Sequence, residues 1–100
     1  QLIFSGAFLS AEDAYRIGLI EELVDDSPVD EALKWASLIS RQGPLAIKAA
    51  KKAINEGIEL DLTDGLTLEA RIFGELCTTE DKNEGVHAFF EKREPSFLGK

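Results

Sequence analysis

The segment Thr78–Lys100 constrains the fold most, because it carries both a start signal and a stop signal for a single helix. A threonine, Thr78 or Thr79, followed by two acidic residues is typical of a helix N-terminus, where side-chain oxygens accept unpaired backbone N–H groups. Pro95 cannot continue a helix. Between these signals apolar residues recur at helical spacing, which predicts a helix with one apolar face. That face consists of Val86, Phe89 and Phe90.

Similar punctuation divides the rest of the chain into helices. Each predicted start has a hydroxyl, acidic or glycine residue at the cap, in two cases followed by proline at the first helical position. The starts are Ser10, Ser27-Pro28, Gly43-Pro44, and Asp61 or Thr63. The first of these helices, Ala11–Ile17, should end at Gly18. We expect Asn55-Glu56-Gly57 to end the helix that begins at Pro44.

Apolar residues at helical spacing predict which face of each helix packs against its neighbours. For the helix after Ser27 the face is Val29, Ala32, Leu33, Ala36 and Ile39. For the helix after Gly43 it is Ile47, Ala50, Ala53 and Ile54. For the next helix it is Leu62, Leu66, Ala70, Phe73 and Cys77.

One short strand is expected among these helices. Leu19–Val24 mixes apolar residues with Glu21 and Glu22, and outward charges are typical of an edge strand. Residues 58–62 also alternate apolar and acidic residues, but a helix start at Asp61 or Thr63 is the better interpretation. The fold class predicted from the residues is therefore mostly α with one edge strand.

Charge and cysteine content limit the partners. The formal net charge is −8, so nucleic acid or an anionic membrane would be repelled overall. No apolar run approaches the roughly 20 residues that a membrane-spanning helix needs. The single cysteine, Cys77, allows no internal disulfide and no cysteine-rich metal site. We therefore expect no nucleic-acid or membrane partner, and a reducing, cytoplasmic location.

No catalytic or metal site is predicted from the residues. The only histidine, His87, has no nucleophile marked near it, and we interpret it as a helix-surface or half-buried side chain. Cys77 and Phe73 continue an apolar stripe, which favours a buried, structural role. The neighbouring carboxylates Glu21 and Glu22 are interpreted as a solvated edge.

The cluster Lys92-Arg93 has two interpretations. In the last turn of a helix, cations stabilise the helix dipole. Alternatively, a cation beside an aromatic face could hold a phosphate and a purine ring.

Taken in order, five segments of this sequence resemble the C-terminal portion of the enoyl-CoA hydratase/isomerase (crotonase) superfamily. They span nearly the whole chain, and each is weak alone. The segments are LIFSGAFLSAEDAYRIGLIEELV, GPLAIKAAKKAINEG, the pair Leu68-Glu69, the motif from Thr79 to Arg93 that matches T-x-D-x-x-E-G-x-x-A-F-x-E-K-R, and Pro95 with Phe97.

The resemblance implies a larger protein with a spiral α/β core and helical C-terminal region, which assembles into homo-trimers or hexamers. Its substrate would be an acyl-CoA thioester, and no separate cofactor is expected. Two backbone N–H groups would stabilise an enolate, and one or two glutamates would act as acid and base. We expect those groups to precede Gln1, and no catalytic role is transferred to Glu12, Glu21 or Glu22. By resemblance, the nucleotide end of CoA would contact Lys92, Phe89 and Phe73.

Residues 1–26 are accordingly predicted to end the spiral core, and residues 27–100 to form the helical region for assembly and CoA contact. The predicted function is that of an enoyl-CoA hydratase, a lyase of fatty acid metabolism. The alternatives are an enoyl-CoA isomerase or other crotonase-type lyase and, from a different class, a non-catalytic helical assembly module.

Overall fold

The computed structural model describes all residues from Gln1 to Lys100 and is built from six helices. They are α1 (Leu2–Ser5), α2 (Ala11–Arg16), α3 (Pro28–Ser40), α4 (Pro44–Gly57), α5 (Leu62–Leu76) and α6 (Glu80–Glu91). The chain divides into two compact units, Gln1–Lys34 and Trp35–Lys100, and the division falls within α3. None of the six helices combines the length and the hydrophobicity that a membrane-spanning helix requires.

The first unit has α2 at its centre. The Ser10 hydroxyl accepts a hydrogen bond from the Asp13 N–H at 3.1 Å, as expected of an N-cap. At the other end Gly18 adopts a left-handed φ of 74°, and the Leu19 N–H donates to the Ala14 carbonyl at 2.8 Å. This pairing is a Schellman motif, and it confirms the predicted stop at Gly18.

The edge strand predicted at Leu19–Val24 is wrong for this chain, which contains no strand. The N–H groups of Leu19 and Ile20 both donate back to the Ala14 carbonyl, so the segment begins as part of the α2 cap. A strand also needs a second strand to accept its remaining backbone hydrogen bonds, and the chain offers none. The helical part of the predicted fold class is confirmed.

In the second unit α4 and α5 pack against each other as a helical hairpin joined by a short turn. Gly43 caps α4 and Pro44 opens it, as predicted, while the Asp61 carboxylate caps α5 by accepting from the Asp64 N–H at 3.0 Å. The rejection of a strand at residues 58–62 is therefore confirmed. A Cβ at Gly65 would lie 3.5 Å from the Gly57 carbonyl oxygen, an ordinary van der Waals contact, so the two helices lie close together here.

The predicted face of α5 is not the face that the chain buries, and α4 buries no residue at all. On α5 the buried residues are Leu68 and Ile72, whereas Leu66 and Phe73 of the predicted stripe are exposed. On α4 the predicted Ile54 is likewise exposed. The helices carry apolar residues on more than one face, and spacing alone cannot tell which face the chain covers.

The remaining helices show the same excess of apolar surface. Helix α3 buries no residue, although its predicted stripe is apolar. In α6 the buried positions are Asp81 and Ala88, and the predicted stripe of Val86, Phe89 and Phe90 is exposed. The chain thus presents large apolar faces that its own residues do not cover.

Candidate functional site

The C-terminal end of α6 has the most unusual backbone in the chain. The helix starts at its N-cap Thr79, whose hydroxyl accepts from the Lys82 N–H at 3.1 Å, and ends at Glu91. Lys92 then takes a left-handed conformation, with φ 55° and ψ 39°. The Arg93 N–H donates to the Ala88 carbonyl at 3.1 Å, which completes a second Schellman motif.

This geometry corrects the prediction that Lys92 and Arg93 occupy the last helical turn. Lys92 is the turn residue after the helix, a position that glycine usually fills because it has no Cβ. It is the only non-glycine residue in the chain with a positive φ. A left-handed residue with a side chain costs about 1–2 kcal/mol, so the fold sustains a lysine where glycine would be less strained.

The Arg93 guanidinium joins the residues on either side of this turn. Its Nη1 and Nη2 donate to the two carboxylate oxygens of Glu84 at 2.6 and 2.9 Å, and its Nε donates to Glu91 at 2.6 Å. The Ser96 N–H donates to Glu84 at 2.7 Å as well. We call Arg93, Glu84 and Glu91 the Arg93 clamp.

The clamp shifts the charge equilibria of its members. The hydrogen bond from Arg93, followed by that from the Ser96 N–H, lowers the pKa of Glu84 from 4.5 to about 2. The hydrogen bonds that Arg93 donates to Glu84 and then to Glu91 raise the pKa of Arg93 further above its ordinary value. Both groups are therefore charged throughout the physiological range of pH.

The clamp should weaken in acid, and the direction follows from the Glu84 pKa. Because that pKa is lower in the folded chain, the contribution of Glu84 to stability is complete above about pH 4.5 and is lost as the pH falls toward 2. An NMR titration of the Glu84 carboxyl should give a midpoint well below 4.5. In Arg93→Ala the midpoint should rise most of the way back, and an unchanged midpoint in that variant would contradict the clamp.

Asp81 holds the C-terminal tail against α6. Asp81 is only 6% exposed, and its carboxylate accepts from the N–H groups of Leu98 and Gly99 at 2.7 and 2.9 Å. The ring of Phe97 lies against Gly85 of α6 and Gly43 at the start of α4, so that a Cβ at Gly85 would come within 3.5 Å of it. The tail therefore ties α6 to the N-terminus of α4.

The predicted CoA-contacting residues fall into two places. Phe89 and Lys92 share the end of α6, where the Lys92 N–H donates to the Phe89 carbonyl at 3.3 Å. The Phe89 ring is 80% exposed and meets Phe90 edge-on, with 5.8 Å between ring centroids. Phe73 lies on α5, and no hydrogen bond, ion pair or ring contact joins it to Phe89 or Lys92.

Phe73 instead borders an apolar groove between α4 and α5. A cavity of about 410 Å³ lies there, lined mainly by alanines of α4 and by larger apolar residues of α5. Phe73 is 67% exposed, so the prediction that it belongs to a core is wrong for the chain by itself. The small alanine side chains leave the groove open beside the larger ring.

Other candidate groups lie apart from this region. His87 is exposed on the surface of α6, which is the first of its two predicted placements, helix surface or half-buried. Cys77 is exposed too, which corrects its predicted burial: it continues the outward stripe of α5, on a different face from Leu68 and Ile72. Glu12, Glu21 and Glu22 are exposed, and no group of three or more potential metal-ligating side chains comes together.

Three residues with defined roles were not singled out as such from the sequence. Asp81 and Glu84 bind the tail and the turn, and Phe97 fastens them to α4. The sequence pattern that could have indicated these roles is an acidic pair three residues apart, followed by a glycine and, beyond Pro95, by an aromatic residue. On one face of a helix such a pair can accept backbone N–H groups from a returning chain.

Comparison with known proteins gives consistent matches over the whole chain. The family model described as Enoyl-CoA hydratase/isomerase matches residues 1–100. "Probable enoyl-CoA hydratase 2, mitochondrial" from Arabidopsis thaliana is 43% identical over 99% of this chain and 33% of its own length. The 2,3-dehydroadipyl-CoA hydratase of Escherichia coli is 38% identical over 100% of this chain and 40% of its own length.

A solved structure shares the fold as well. The crystal structure of enoyl-CoA hydratase from Bacillus anthracis superposes with a TM-score of 0.91 and 39% sequence identity. The match covers 99% of this chain and 39% of that one. The chain therefore spans well under half the length of the relatives that it matches.

Proposed function

This chain belongs to the enoyl-CoA hydratase/isomerase family, and we propose that it works as the C-terminal part of an enoyl-CoA hydratase. The observation that carries the proposal is the family match across all of residues 1–100. Relatives such as the 2,3-dehydroadipyl-CoA hydratase and a crotonyl-CoA hydratase favour hydration over isomerisation. An enoyl-CoA isomerase or another crotonase-type lyase is the second candidate.

The proposed reaction adds water across the 2,3 double bond of an enoyl-CoA. Hydroxyl is added at C3 and a proton at C2, and the negative charge that develops on the thioester oxygen is held by backbone N–H donors. A glutamate acting as general base would take the proton from water. These groups would come from the part of the relatives' length that this chain does not span, and no residue here is assigned to them.

Within this scheme residues 27–100 would form the assembly and nucleotide-binding region, and residues 1–26 would end the catalytic core. Lys92 would bind a phosphate at the nucleotide end of CoA, and Phe89 and Phe73 would offer ring faces to the adenine. Three observations support Lys92: it is exposed, no carboxylate lies within ion-pair distance, and it keeps a strained conformation. Packing within the chain does not account for Phe73 or Phe89, since both rings are exposed.

Homo-trimeric or hexameric assembly also belongs to the proposal. Its support is the set of large apolar side chains that the chain leaves exposed on α3, α5 and α6, because extended exposed apolar patches mark interaction sites. A reducing, cytoplasmic location is proposed from the single cysteine. The acyl-CoA thioester would be the small-molecule partner, with no separate cofactor and no nucleic-acid or membrane partner.

The test is binding of CoA by the full-length protein. Lys92→Ala should weaken CoA binding by about 1–3 kcal/mol, the range for losing a partner to a charged group. Binding of 3′-dephospho-CoA should be unchanged, because that molecule lacks the phosphate assigned to Lys92. Equal affinities of the variant and the wild type for CoA, measured by calorimetry, would refute the role of Lys92.

Lys92→Gly is a matched control. It removes the same ammonium but fits the left-handed turn, so CoA affinity should fall as in Lys92→Ala while the melting temperature does not. Loss of CoA binding in the alanine variant alone would show that folding, not the cation, was responsible.

A further inference from the structure

The end of α6 places an unpaired cation between two residues that are tied to each other. Glu91 precedes Lys92 and Arg93 follows it, and the Arg93 Nε donates to the Glu91 carboxylate at 2.6 Å. The backbone hydrogen bonds from Lys92 and Arg93 define the turn, and the contact between Arg93 and Glu91 closes over it. The direction in which the Lys92 side chain leaves the helix therefore depends on its neighbours.

Glu84 also binds the Arg93 guanidinium, through nitrogens other than the one that contacts Glu91. Its two oxygens receive parallel hydrogen bonds from Arg93 at 2.6 and 2.9 Å, a planar arrangement that an arginine can make and a lysine cannot. Glu84 lies about two helical turns before the end of α6, so it anchors the turn to the body of the helix. The Ser96 N–H, at 2.7 Å, holds the same carboxylate in place.

The clamp also engages carboxylates that lie near Lys92 in the sequence. Three glutamates, Glu84, Glu91 and Glu94, lie near the turn in sequence, and any of them could otherwise neutralise a lysine. Arg93 engages the carboxylates of Glu84 and Glu91, and no carboxylate lies within ion-pair distance of Lys92. The ammonium is thereby left available for an anion from outside the chain.

We propose that Glu84 and Arg93 are positioning residues for the Lys92 cation: they hold its turn and keep carboxylates away from it. The inference rests on the proposed function, because it takes the anion to be the CoA phosphate assigned to Lys92. Neither residue is expected to touch the substrate. Their effect is on how strongly the site prefers CoA over 3′-dephospho-CoA.

The experiment compares these two ligands with the full-length protein. Calorimetry gives both dissociation constants for the wild type, Glu84→Gln, Lys92→Ala and the double variant. Glu84→Gln should reduce the preference for CoA by about five-fold, typical of coupling within one network, and leave 3′-dephospho-CoA affinity unchanged. In the Lys92→Ala background the same substitution should have no further effect on the preference.

Two further variants serve as controls. Glu59→Gln removes a carboxylate from the exposed turn after α4 and should leave both affinities as in the wild type. Arg93→Lys keeps the charge but loses the two-pronged contact, so it should also lower the preference for CoA, and it replaces Glu84→Gln should that variant not fold. Retained binding of 3′-dephospho-CoA shows that a variant is folded.

The outcomes separate this inference from the proposed function. A preference lowered by Lys92→Ala but unchanged by both Glu84→Gln and Arg93→Lys would overturn the positioning role alone. A preference unchanged by Lys92→Ala would overturn the phosphate site, and the positioning role with it. Equal losses for both ligands in Glu84→Gln and Arg93→Lys would show a purely structural role and also overturn the inference.

Discussion

Replacing Ile72 with alanine should lower the free energy of unfolding of this chain by about 2–5 kcal/mol, the usual cost of emptying a buried aliphatic site. Ile72 is 5% exposed and lines a groove together with Leu45 and Ala49 of α4, where the two helices of the hairpin meet. The chain buries few apolar side chains, so this loss should remove much of its stability. Urea unfolding followed by circular dichroism, at several protein concentrations, measures it.

Phe73→Ala is the matched control on the next residue. Phenylalanine is the larger side chain, so hydrophobicity alone would predict the larger loss there. Because its ring is 67% exposed, we expect the free energy of unfolding to change by no more than about 0.5 kcal/mol. A larger loss for Phe73→Ala than for Ile72→Ala would mean that α5 packs on the face predicted from its sequence.

Asp81→Ala should lower the free energy of unfolding by about 2–4 kcal/mol. The substitution removes two hydrogen bonds to a charged acceptor, each worth about 1.5–3 kcal/mol, less what water restores to the freed N–H groups. The N–H groups of Leu98 and Gly99 would lose their acceptor. The neighbouring Phe97 would then be held less firmly against Gly85. Faster hydrogen exchange at the amides of Leu98 and Gly99 should accompany the loss.

Glu80→Ala separates the tail contacts from the helix dipole. Glu80 also lies in the first turn of α6, but it is exposed and makes no tail contact, so its loss should cost about 0.3–1 kcal/mol at most. Asp81→Asn keeps one carbonyl oxygen and should fall between the two. Indistinguishable effects of Asp81→Ala and Glu80→Ala would contradict the role of Asp81 in holding the tail.

Much of the helical framework was predictable because local chemistry sets helix ends. Ser10, Gly18, Ser27-Pro28, Gly43-Pro44 and Asp61 each act where the sequence placed them. Caps and stops depend on a few neighbouring residues, so no knowledge of tertiary structure was needed.

The buried faces were not predictable, because they depend on which surfaces meet. Helix α5 carries two apolar faces, and only the one with Leu68 and Ile72 is covered within this chain. The predicted strand at Leu19–Val24 failed for a related reason, since pairing needs a partner that the chain does not supply. Both errors concern surfaces or backbone groups that this chain alone leaves without neighbours.

The candidate site was predictable in part. Its residues Lys92, Phe89 and Phe73 came from a resemblance, and their roles remain proposals. Residue spacing could not show that Lys92 adopts a left-handed conformation, because lysine does not favour that conformation and so gives no sequence signal for it. The contacts from Arg93 to Glu84 span nine residues and appear only once the turn has folded.

A crystal structure of the full-length protein with bound CoA tests the central claim most directly. We predict a CoA phosphate oxygen within hydrogen-bond distance, roughly 3 Å, of the Lys92 Nζ, with the adenine ring against an aromatic face of the α5–α6 region. CoA bound with its phosphates held elsewhere, and Lys92 facing solvent or a carboxylate, would contradict it.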